Sequence, residues 1–311
     1  MSTTLSGPII SQGGFIGGNG MFGAPGGRHF FVNTAGGGAD DVDQPWYAVD
    51  ETVCFSTLQA AINACVAYRG DVIYVKRGGQ AVTTPVLFNK AGISVIGQGW
   101  GMNPTTRGEY TGIYTSGYTD GPAGIITDSC FIYGLGFASG DVGATFFSGA
   151  ALLIGGAAAG AYGVHLSHCR FPKWGMSNRI GLSVAGGAAV SNCLIESCEF
   201  EGAFATGIYV QGAVGHLQVK DCRFALCTYA ITHGDFSDAG VNTQMLYGPG
   251  NVTVTPTRGI DTNSKACLGT IYGNYWGTAV ATTHDLTIDN TEVLGLICAG
   301  NYYADEERDD E

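Results

Sequence analysis

Four carboxylate side chains lie close together in the sequence: Glu196, Glu199, Glu201 and Asp221. A glycoside hydrolase needs two carboxyl groups facing one groove, about 5 to 10 Å apart depending on the mechanism. Stacked β-strands are about 4.8 Å apart, so acids on neighbouring strands could form such a pair. A structural role is the alternative, because Glu199 has arginine neighbours in the repeat described below and Glu201 follows its strand at a corner. The sequence favours the structural role and assigns no catalytic residue.

Three aromatic residues could stack on a sugar ring if they were exposed along one sheet: Trp174, Tyr209 and Tyr229. Packing at a corner or in an interface is the alternative, and it is the one that the sequence favours. The sequence therefore assigns no individual glycan-binding residue.

The histidines and cysteines show no spacing typical of metal ligands. The histidines His165, His168, His216, His233 and His284 share no common element, and we expect them to lie at the surface. No CxxC pair is joined to a second such pair or to a pair of histidines, as a zinc site would require. Several of the ten cysteines occupy apolar positions of a repeat, so most are expected to be reduced core residues. We expect no metal and no cofactor.

The charge balance of the chain indicates which classes of partner are not expected. The chain has 14 Lys and Arg against 26 Asp and Glu, a net charge of −12. Nucleic acids and anionic membranes both reward clustered Lys and Arg, so neither is an expected partner. No segment approaches the ~20 apolar residues of a membrane span, and the N-terminus lacks the basic start and apolar run of an export signal. We expect cytosolic synthesis without a signal peptide and no membrane insertion.

Residues 1–29 are rich in glycine and carry large apolar residues that follow no helical period. These residues are Ile9, Ile10, Phe15, Ile16, Met21 and Phe22. A disordered segment seldom carries so many large apolar side chains. We predict an extended arm that docks on a partner chain, with a floppy terminus as the alternative.

One convincing helix is predicted, near residues 56–69. Ser56 is a good N-cap, Gln59 completes a capping box, and Gly70 ends the helix. The apolar positions with helical spacing are Leu58, Ala61, Ile62, Cys65 and Val66. After this helix the pattern changes to short strands, which suits a solenoid whose open end the helix covers.

A short apolar pattern recurs four times along the chain. Its copies are Ile132-x-x-Leu135-x-Phe137, Leu166-x-x-Cys169-x-Phe171, Ile195-x-x-Cys198-x-Phe200 and Val219-x-x-Cys222-x-Phe224. The phenylalanines are 34, 29 and 24 residues apart (137 to 171, 171 to 200, 200 to 224). Coils of stacked strands drift in this way because their corner loops vary in length. Weaker copies follow at 271–275 and 298–302, with a shared Asn-Tyr pair.

Strand alternation makes this repeat predictive of side-chain direction. Cys169, Cys198 and Cys222 should form an internal ladder beside a stack of Phe171, Phe200 and Phe224. The intervening residues, Arg170, Glu199 and Arg223, should form an external column in which a carboxylate lies between two guanidiniums.

Glycine, at 51 of 311 residues beside 45% hydrophobic residues, suits many tight corners between buried strands. The order FFVNTAGGGADD, FSTLQAAINACVAYRGDVIYVKRGG, GISVIGQG, IYGLGF and the CxF strands resembles the pectate-lyase-like parallel β-helix superfamily, over about residues 29–304. That resemblance implies an all-β, right-handed parallel β-helix (a solenoid) with an N-terminal capping α-helix. The expected organisation is an arm at 1–29, a β-helix at 30–304 and an acidic tail at 305–311.

The superfamily contains pectin-degrading enzymes, bacteriophage tailspikes and other virion proteins, so it implies the fold more firmly than the function. A lyase is disfavoured, because the acidic chain would repel a polyanionic sugar. We expect a structural or host-recognition protein of a bacteriophage virion, a spike, fibre or capsid decoration. Its expected partners are two further copies in a homotrimer, other virion proteins through the arm, and a host surface glycan. A polysaccharide depolymerase is the alternative function.

Overall fold

The chain consists largely of short parallel strands that stack in three columns. The structure is a computed structural model and describes residues 9–11, 14–16, 27–33, 54–97, 111–115, 121–138, 150–156, 160–172, 180–202, 205–234, 242–254, 258–261, 267–276, 296–303 and 307–308. Their hydrogen bonds form a 17-stranded sheet and a 10-stranded sheet. The larger sheet contains two of the columns, because the long strands Ile180–Glu196 and Thr206–Lys220 pass through both. We call the columns face 1, face 2 and face 3.

Each turn of the chain contributes strands to these faces in the same order. Face 1 contains Val86–Phe88, Gly124–Ile126, Ala150–Gly156, residues 180–186 and 206–212 of the long strands, Tyr229–His233 and Arg258–Asp261. Face 2 contains His29–Val32, Cys54–Phe55, Val72–Val75, Ile93–Gly97, Cys130–Tyr133, Ala161–Tyr162, His165–Ser167, residues 190–196 and 214–220, Asn242–Tyr247, Cys267–Tyr272 and Leu296–Ala299. Face 3 contains Gly78–Val82, Thr111–Thr115, Gly136–Ala138, Arg170–Pro172, Glu199–Glu201, Arg223–Ala225, Val252–Val254, Tyr275–Trp276 and Asn301–Tyr303.

Strands of successive turns pair in parallel on every face, for example Arg170 with Glu199 and Glu199 with Arg223. A chain that returns to the same face after each turn forms a solenoid, and crossovers between parallel strands are right-handed almost without exception. The fold is a right-handed parallel β-helix, as the sequence predicts.

A stack of phenylalanine rings fills the interior beside face 3. Phe137, Phe171, Phe200 and Phe224 are all fully buried. The ring centroids of Phe171 and Phe200 are 4.6 Å apart with planes 2° from parallel, and those of Phe200 and Phe224 are 4.9 Å apart at 7°. Cys169, Cys198 and Cys222 are at most 1% exposed in the same turns. Both internal ladders predicted from the CxF repeat are therefore confirmed.

A left-handed residue lies at the corner between face 2 and face 3 in seven successive turns, and in one of them Gly248, with φ 131°, is a second residue with positive φ. The residues at this corner are Gly134, His168, Ser197, Asp221, Gly250, Gly273 and Gly300, with φ between 51° and 81°. Glycine adopts this conformation without strain, which accounts for four of the seven. The next residue then points inward, and in the last three turns this residue is an asparagine.

Asn251, Asn274 and Asn301 form a buried hydrogen-bonded ladder at that inward position, each at most 1% exposed. The Nδ2 of Asn274 donates to the carbonyl of Tyr247 at 2.9 Å and to Oδ1 of Asn301 at 3.0 Å. The backbone N–H of Asn251 donates to Oδ1 of Asn274 at 3.3 Å. The ladder ties each corner to its neighbouring turns with shorter hydrogen bonds than those of the cysteines at the same position, whose Sγ atoms donate to carbonyls of the preceding turn at 3.6–3.8 Å.

The capping helix is shorter than the sequence predicts, spanning Leu58–Ala64. Thr57 and not Ser56 is the N-cap, because the Thr57 hydroxyl accepts a hydrogen bond from the N–H of Ala60. The predicted capping box is wrong, since the Gln59 side chain pairs with Asn63 and with the backbone of Leu87.

The helix ends at Cys65, before Gly70, and Val66 lies outside it and is 49% exposed. The buried helical face, formed by Leu58, Ala61 and Ile62, joins the interior core as predicted. It packs against the strands of the first turns and so closes that end of the solenoid.

Two antiparallel pairings lie at the ends of the described chain. Ile9–Ser11 pairs with Gly14–Ile16 inside the predicted arm. Glu307–Arg308 pairs with Asn301–Tyr303, so part of the predicted acidic tail adds a strand to face 3.

Candidate functional site

The outer surface of face 3 carries the predicted column of charges. The Arg223 guanidinium is 2.5 Å from Oε1 of Glu199, and Nε of Arg170 is 3.2 Å from Oε2 of the same carboxylate. A second nitrogen of Arg170 pairs with Glu201. Glu201 lies within its strand and not at a corner, which corrects the sequence prediction. The predicted arrangement of a carboxylate between two guanidiniums is confirmed.

Glu196 lies around the corner, on the outer surface of face 2. Its carboxylate is 2.7 Å from Nε2 of His165 and 2.9 Å from Nζ of Lys220. Burial raises the pKa of the Glu196 carboxyl, but the hydrogen bonds from Lys220 and His165 outweigh burial and hold the pKa below its usual range. A carboxyl that stays ionised in this way is poorly suited to act as a general acid.

The acidic group recognised in the sequence is therefore divided between two faces. Glu196 belongs to face 2, Glu199 and Glu201 belong to face 3, and Asp221 is one of the left-handed corner residues. Each of the three glutamates has a basic partner. The arrangement neutralises charge between successive turns and does not place two free carboxylates opposite each other.

The described histidines divide into surface and core residues. His165 pairs with Glu196, Nδ1 of His168 contacts the Ser167 hydroxyl at 2.9 Å, and His216 contacts the Asn192 side chain at 2.7 Å. His233 is fully buried, which contradicts the expected surface position. His284 lies outside the described residues. Among the described residues no group of three or more His, Cys, Asp and Glu side chains could hold a metal ion.

His233 belongs to a hydrogen-bonded cluster inside the solenoid. Its Nδ1 is 3.3 Å from Sγ of Cys267, and its Nε2 is 2.9 Å from the hydroxyl of Tyr247. That hydroxyl donates to Sδ of Met245 at 3.5 Å. All four side chains are at most 1% exposed. A neutral imidazole with its proton on Nε2 satisfies these three contacts, because Nε2–H donates to the Tyr247 hydroxyl and Nδ1 accepts from the Cys267 thiol. Hydrogen bonds thus take the place of apolar packing at this point of the core.

The cysteines are core residues and not nucleophiles. Eight described cysteines are free and buried: Cys65, Cys130, Cys169, Cys193, Cys198, Cys222, Cys227 and Cys267. Burial raises the pKa of Cys193 to about 11 and that of Cys227 to about 12. Because the thiolate is the reactive form, the raised pKa values disfavour reaction of Cys193 and Cys227 at neutral pH.

Of the aromatic residues considered for sugar stacking, none lies exposed in the described structure. Tyr209 is 5% exposed and packs with Ala150 and Ile180, and Tyr229 is half-buried. Trp174 lies outside the described residues. Two other tyrosines, Tyr275 and Tyr302, are 46% and 49% exposed on face 3. The repeated Asn-Tyr pair was the sequence signal that could have identified them.

Face 1 carries a different polar surface around Tyr209. Ser183 and Thr232 are the register neighbours of Tyr209 on either side. The hydroxyls of Ser183 and Thr232 and Oε1 of Gln211 are buried without a hydrogen-bond partner in the described structure. Each could accept a hydrogen bond from a small polar molecule or from water.

Comparisons with known proteins find similarity in fold only. No protein-family model matches the chain, and no curated protein matches it. Among solved structures, the chain is similar to the pectin methylesterase from Aspergillus niger, with 16% identity and a TM-score of 0.48 over 93% of this chain and 90% of that one. It is also similar to a mutant pectin methylesterase in complex with a hexasaccharide, with 10% identity and a TM-score of 0.48 over 90% of each chain.

A third similar structure is ORF18 of Geobacillus virus E2, with 14% identity and a TM-score of 0.41 over 79% of this chain and 54% of that one. No helix among the described residues is long and apolar enough to cross a membrane. By the parallel register of its own strands, this chain is a right-handed parallel β-helix protein.

Proposed function

We propose that the chain is a structural or host-recognition protein of a bacteriophage particle, a spike, fibre or capsid decoration built on a β-helix. The observation that carries this proposal is the use of the acidic residues. Glu196, Glu199 and Glu201, the residues best placed for acid–base catalysis, are held by basic partners in neighbouring strands. They join successive turns of the solenoid, and each of the three is engaged by a basic side chain.

The interior supports the same function. Phenylalanine, cysteine and asparagine ladders fill the interior beside face 3 in successive turns. A particle protein assembled in a reducing cytosol gains stability from such ladders without needing disulfides. The eight free, buried cysteines agree with that compartment.

Polysaccharide depolymerase is the second candidate, and one contact favours it. The imidazole of His165 and the carboxylate of Glu196 form a dyad at 2.7 Å on an outer face, with side chains 19% and 23% exposed. A dyad of this kind could move a proton to or from a sugar hydroxyl. Lys220, bound to the same carboxylate, opposes that role by keeping it ionised.

Two measurements test the proposal together. The first is immunogold labelling of gradient-purified particles from a culture that expresses the gene, and we expect labelled particles. The second is release of reducing sugars from host surface polysaccharide by the purified chain and by its Glu196→Gln and Glu199→Gln variants. Release that both substitutions abolish, with no labelled particles, would overturn the virion proposal in favour of the depolymerase.

A further inference from the structure

Tyr275 and Tyr302 are register neighbours on the outer surface of face 3. Strands of successive turns are about 4.8 Å apart, so the two side chains leave the sheet side by side. Tyr275 is 46% exposed and Tyr302 is 49% exposed. These two residues form an exposed aromatic surface that we call the tyrosine platform.

The ladder of asparagines fixes the backbone beneath the tyrosine platform. Each tyrosine directly follows a ladder residue, Asn274 or Asn301. The N–H of Tyr275 donates to the carbonyl of Asn251 at 2.8 Å, and the N–H of Tyr302 donates to the carbonyl of Asn274 at 2.7 Å. A ligand that binds here meets two side chains whose backbone is already held in place, so little ordering of the main chain opposes binding.

The side chains of the tyrosine platform are available for a ligand. No described residue accepts or donates a hydrogen bond at either phenol hydroxyl, and neither ring stacks on an aromatic ring among the described residues. Each tyrosine therefore presents a flat apolar surface and a polar tip side by side. A sugar ring has the matching chemistry, with C–H groups on its face and hydroxyls at its edge.

The charge of the protein indicates which class of glycan could bind to the tyrosine platform. On the strands that precede Tyr275, the nearest cation in the face 3 column is Arg223, which is already bound to Glu199. The strand beyond Tyr302 carries one charge of each sign, Glu307 and Arg308, and the chain as a whole carries a net charge of −12. A polyanionic glycan would be repelled, whereas a neutral glycan would not.

We propose that the tyrosine platform binds a neutral surface glycan, with Tyr275 and Tyr302 stacking on its sugar rings. This inference rests on the proposed host-recognition function and names the site and the ligand class for it. A flat contact with a second copy of the chain is the competing occupant, and the experiment distinguishes the two.

The probe is an array of neutral and acidic oligosaccharides incubated with the labelled full-length chain. We expect the wild type to bind neutral members, and Tyr275→Ala/Tyr302→Ala to bind them roughly tenfold more weakly, because two ring contacts are lost. Tyr162→Ala is the matched control, since Tyr162 is 55% exposed on face 2, away from the platform, and its loss should leave binding unchanged. Tyr275→Phe/Tyr302→Phe should retain most of the binding.

Three outcomes would overturn the proposal. They are absence of binding to any neutral member, equal binding by the double alanine variant, and a lower molar mass of that variant in light scattering, which would identify the platform as a contact between copies. All variants should melt near the wild type, because the substituted side chains are exposed. Labelling of particles by the antibody does not depend on these tyrosines, so failure of this inference is separable from failure of the proposed function.

Discussion

Single residues decide how the first turns are joined, and Asp71 is the clearest case. Its side chain is fully buried and accepts hydrogen bonds from the N–H groups of Arg28 and Val66, both at 2.8 Å. The Arg69 guanidinium adds two contacts at 2.6 and 2.7 Å. One carboxylate thus connects the first strand of face 2, the end of the helix and the strand that follows.

Replacing Asp71 with Asn should therefore destabilise the protein. We expect the free energy of unfolding to fall by about 2 kcal/mol, because charge-assisted hydrogen bonds from a buried network are lost. Denaturant titration measures the loss. Asp128→Asn is the matched control. Among the described residues, the Asp128 carboxylate accepts a hydrogen bond only from the N–H of its neighbour Ser129, so its substitution should cost much less. Equal losses for both variants would contradict the role assigned to Asp71.

Asp71 also predicts an acid-sensitive stability. Burial raises the pKa of this carboxyl, but Arg69 and the two backbone N–H groups outweigh burial and lower the pKa below its usual range. A carboxyl with a depressed pKa in the folded state stabilises the fold above its unfolded pKa, near 4, and loses this contribution as the pH falls through its folded pKa. The unfolding midpoint of the wild type should drop below about pH 4 more steeply than that of Asp71→Asn. Parallel curves would refute this.

Among individual residues, the sequence predicted those that follow strand alternation. The inward Cys198 and Phe200 and the outward Glu199 follow from a period of two, which the stacked strands impose. For Tyr209 the sequence favoured packing over exposure, and the side chain is buried against Ala150 and Ile180. The inward asparagines were not predicted, because no alternation rule identifies a polar ladder.

At the scale of strands and ladders, we expect the phenylalanine stack to stabilise the turns that it joins. The Phe200 ring lies between those of Phe171 and Phe224, and Gly181 leaves room for it, because a Cβ on Gly181 would lie 2.8 Å from the Phe200 ring. Removing Phe200 opens a cavity that rigid neighbouring turns cannot close.

Phe200→Ala should lower the free energy of unfolding by about 3–5 kcal/mol, as buried phenylalanine truncations do. Thermal melting followed by circular dichroism measures the effect. Leu226→Ala is the control, because Leu226 is 53% exposed and its truncation should change little. A melt of Phe200→Ala that matches the wild type would show that the stack does not stabilise its neighbouring turns.

The sequence also indicated the type of each element better than its bounds. The helix was predicted from apolar spacing, but Thr57 replaces Ser56 as the N-cap, and the helix ends at Cys65, well before Gly70. The strand at Glu307–Arg308 was not predicted, because an acidic segment has no apolar alternation to mark it.

For the molecule as a whole, the ladder of cysteines predicts chemical inertness. Burial raises the pKa of Cys198 well above its ordinary value, and Cys169 and Cys222 are equally buried. We expect an aromatic disulfide reagent to label none of the three in the native protein and all of them in denaturant. Mass spectrometry after each treatment identifies the labelled sites. Rapid native labelling of all three would mean that the strand register is shifted by one residue.

Assembly is the second prediction for the whole molecule. The apolar residues of the arm, 1–29, have no helical period, and burying them against another chain would remove them from water. We expect the full chain to associate, with a trimer as the expected state, and a version that begins at His29 to associate less. Light scattering at micromolar concentration measures both molar masses. Two monomeric samples would show that the arm does not drive self-assembly.

The short corner between face 2 and face 3 also indicates where the chain could accept inserted residues. The loops that join face 3 to face 1, in contrast, vary in length. Measured from the last residue of one strand to the first residue of the next, they span 138–150, 172–180, 201–206 and 225–229. The corner between faces 2 and 3 keeps one left-handed residue in all four of these turns. Inserted peptides, whether acquired in evolution or grafted as foreign epitopes, should therefore be accommodated along the edge between faces 3 and 1. A peptide inserted there would leave the internal ladders intact.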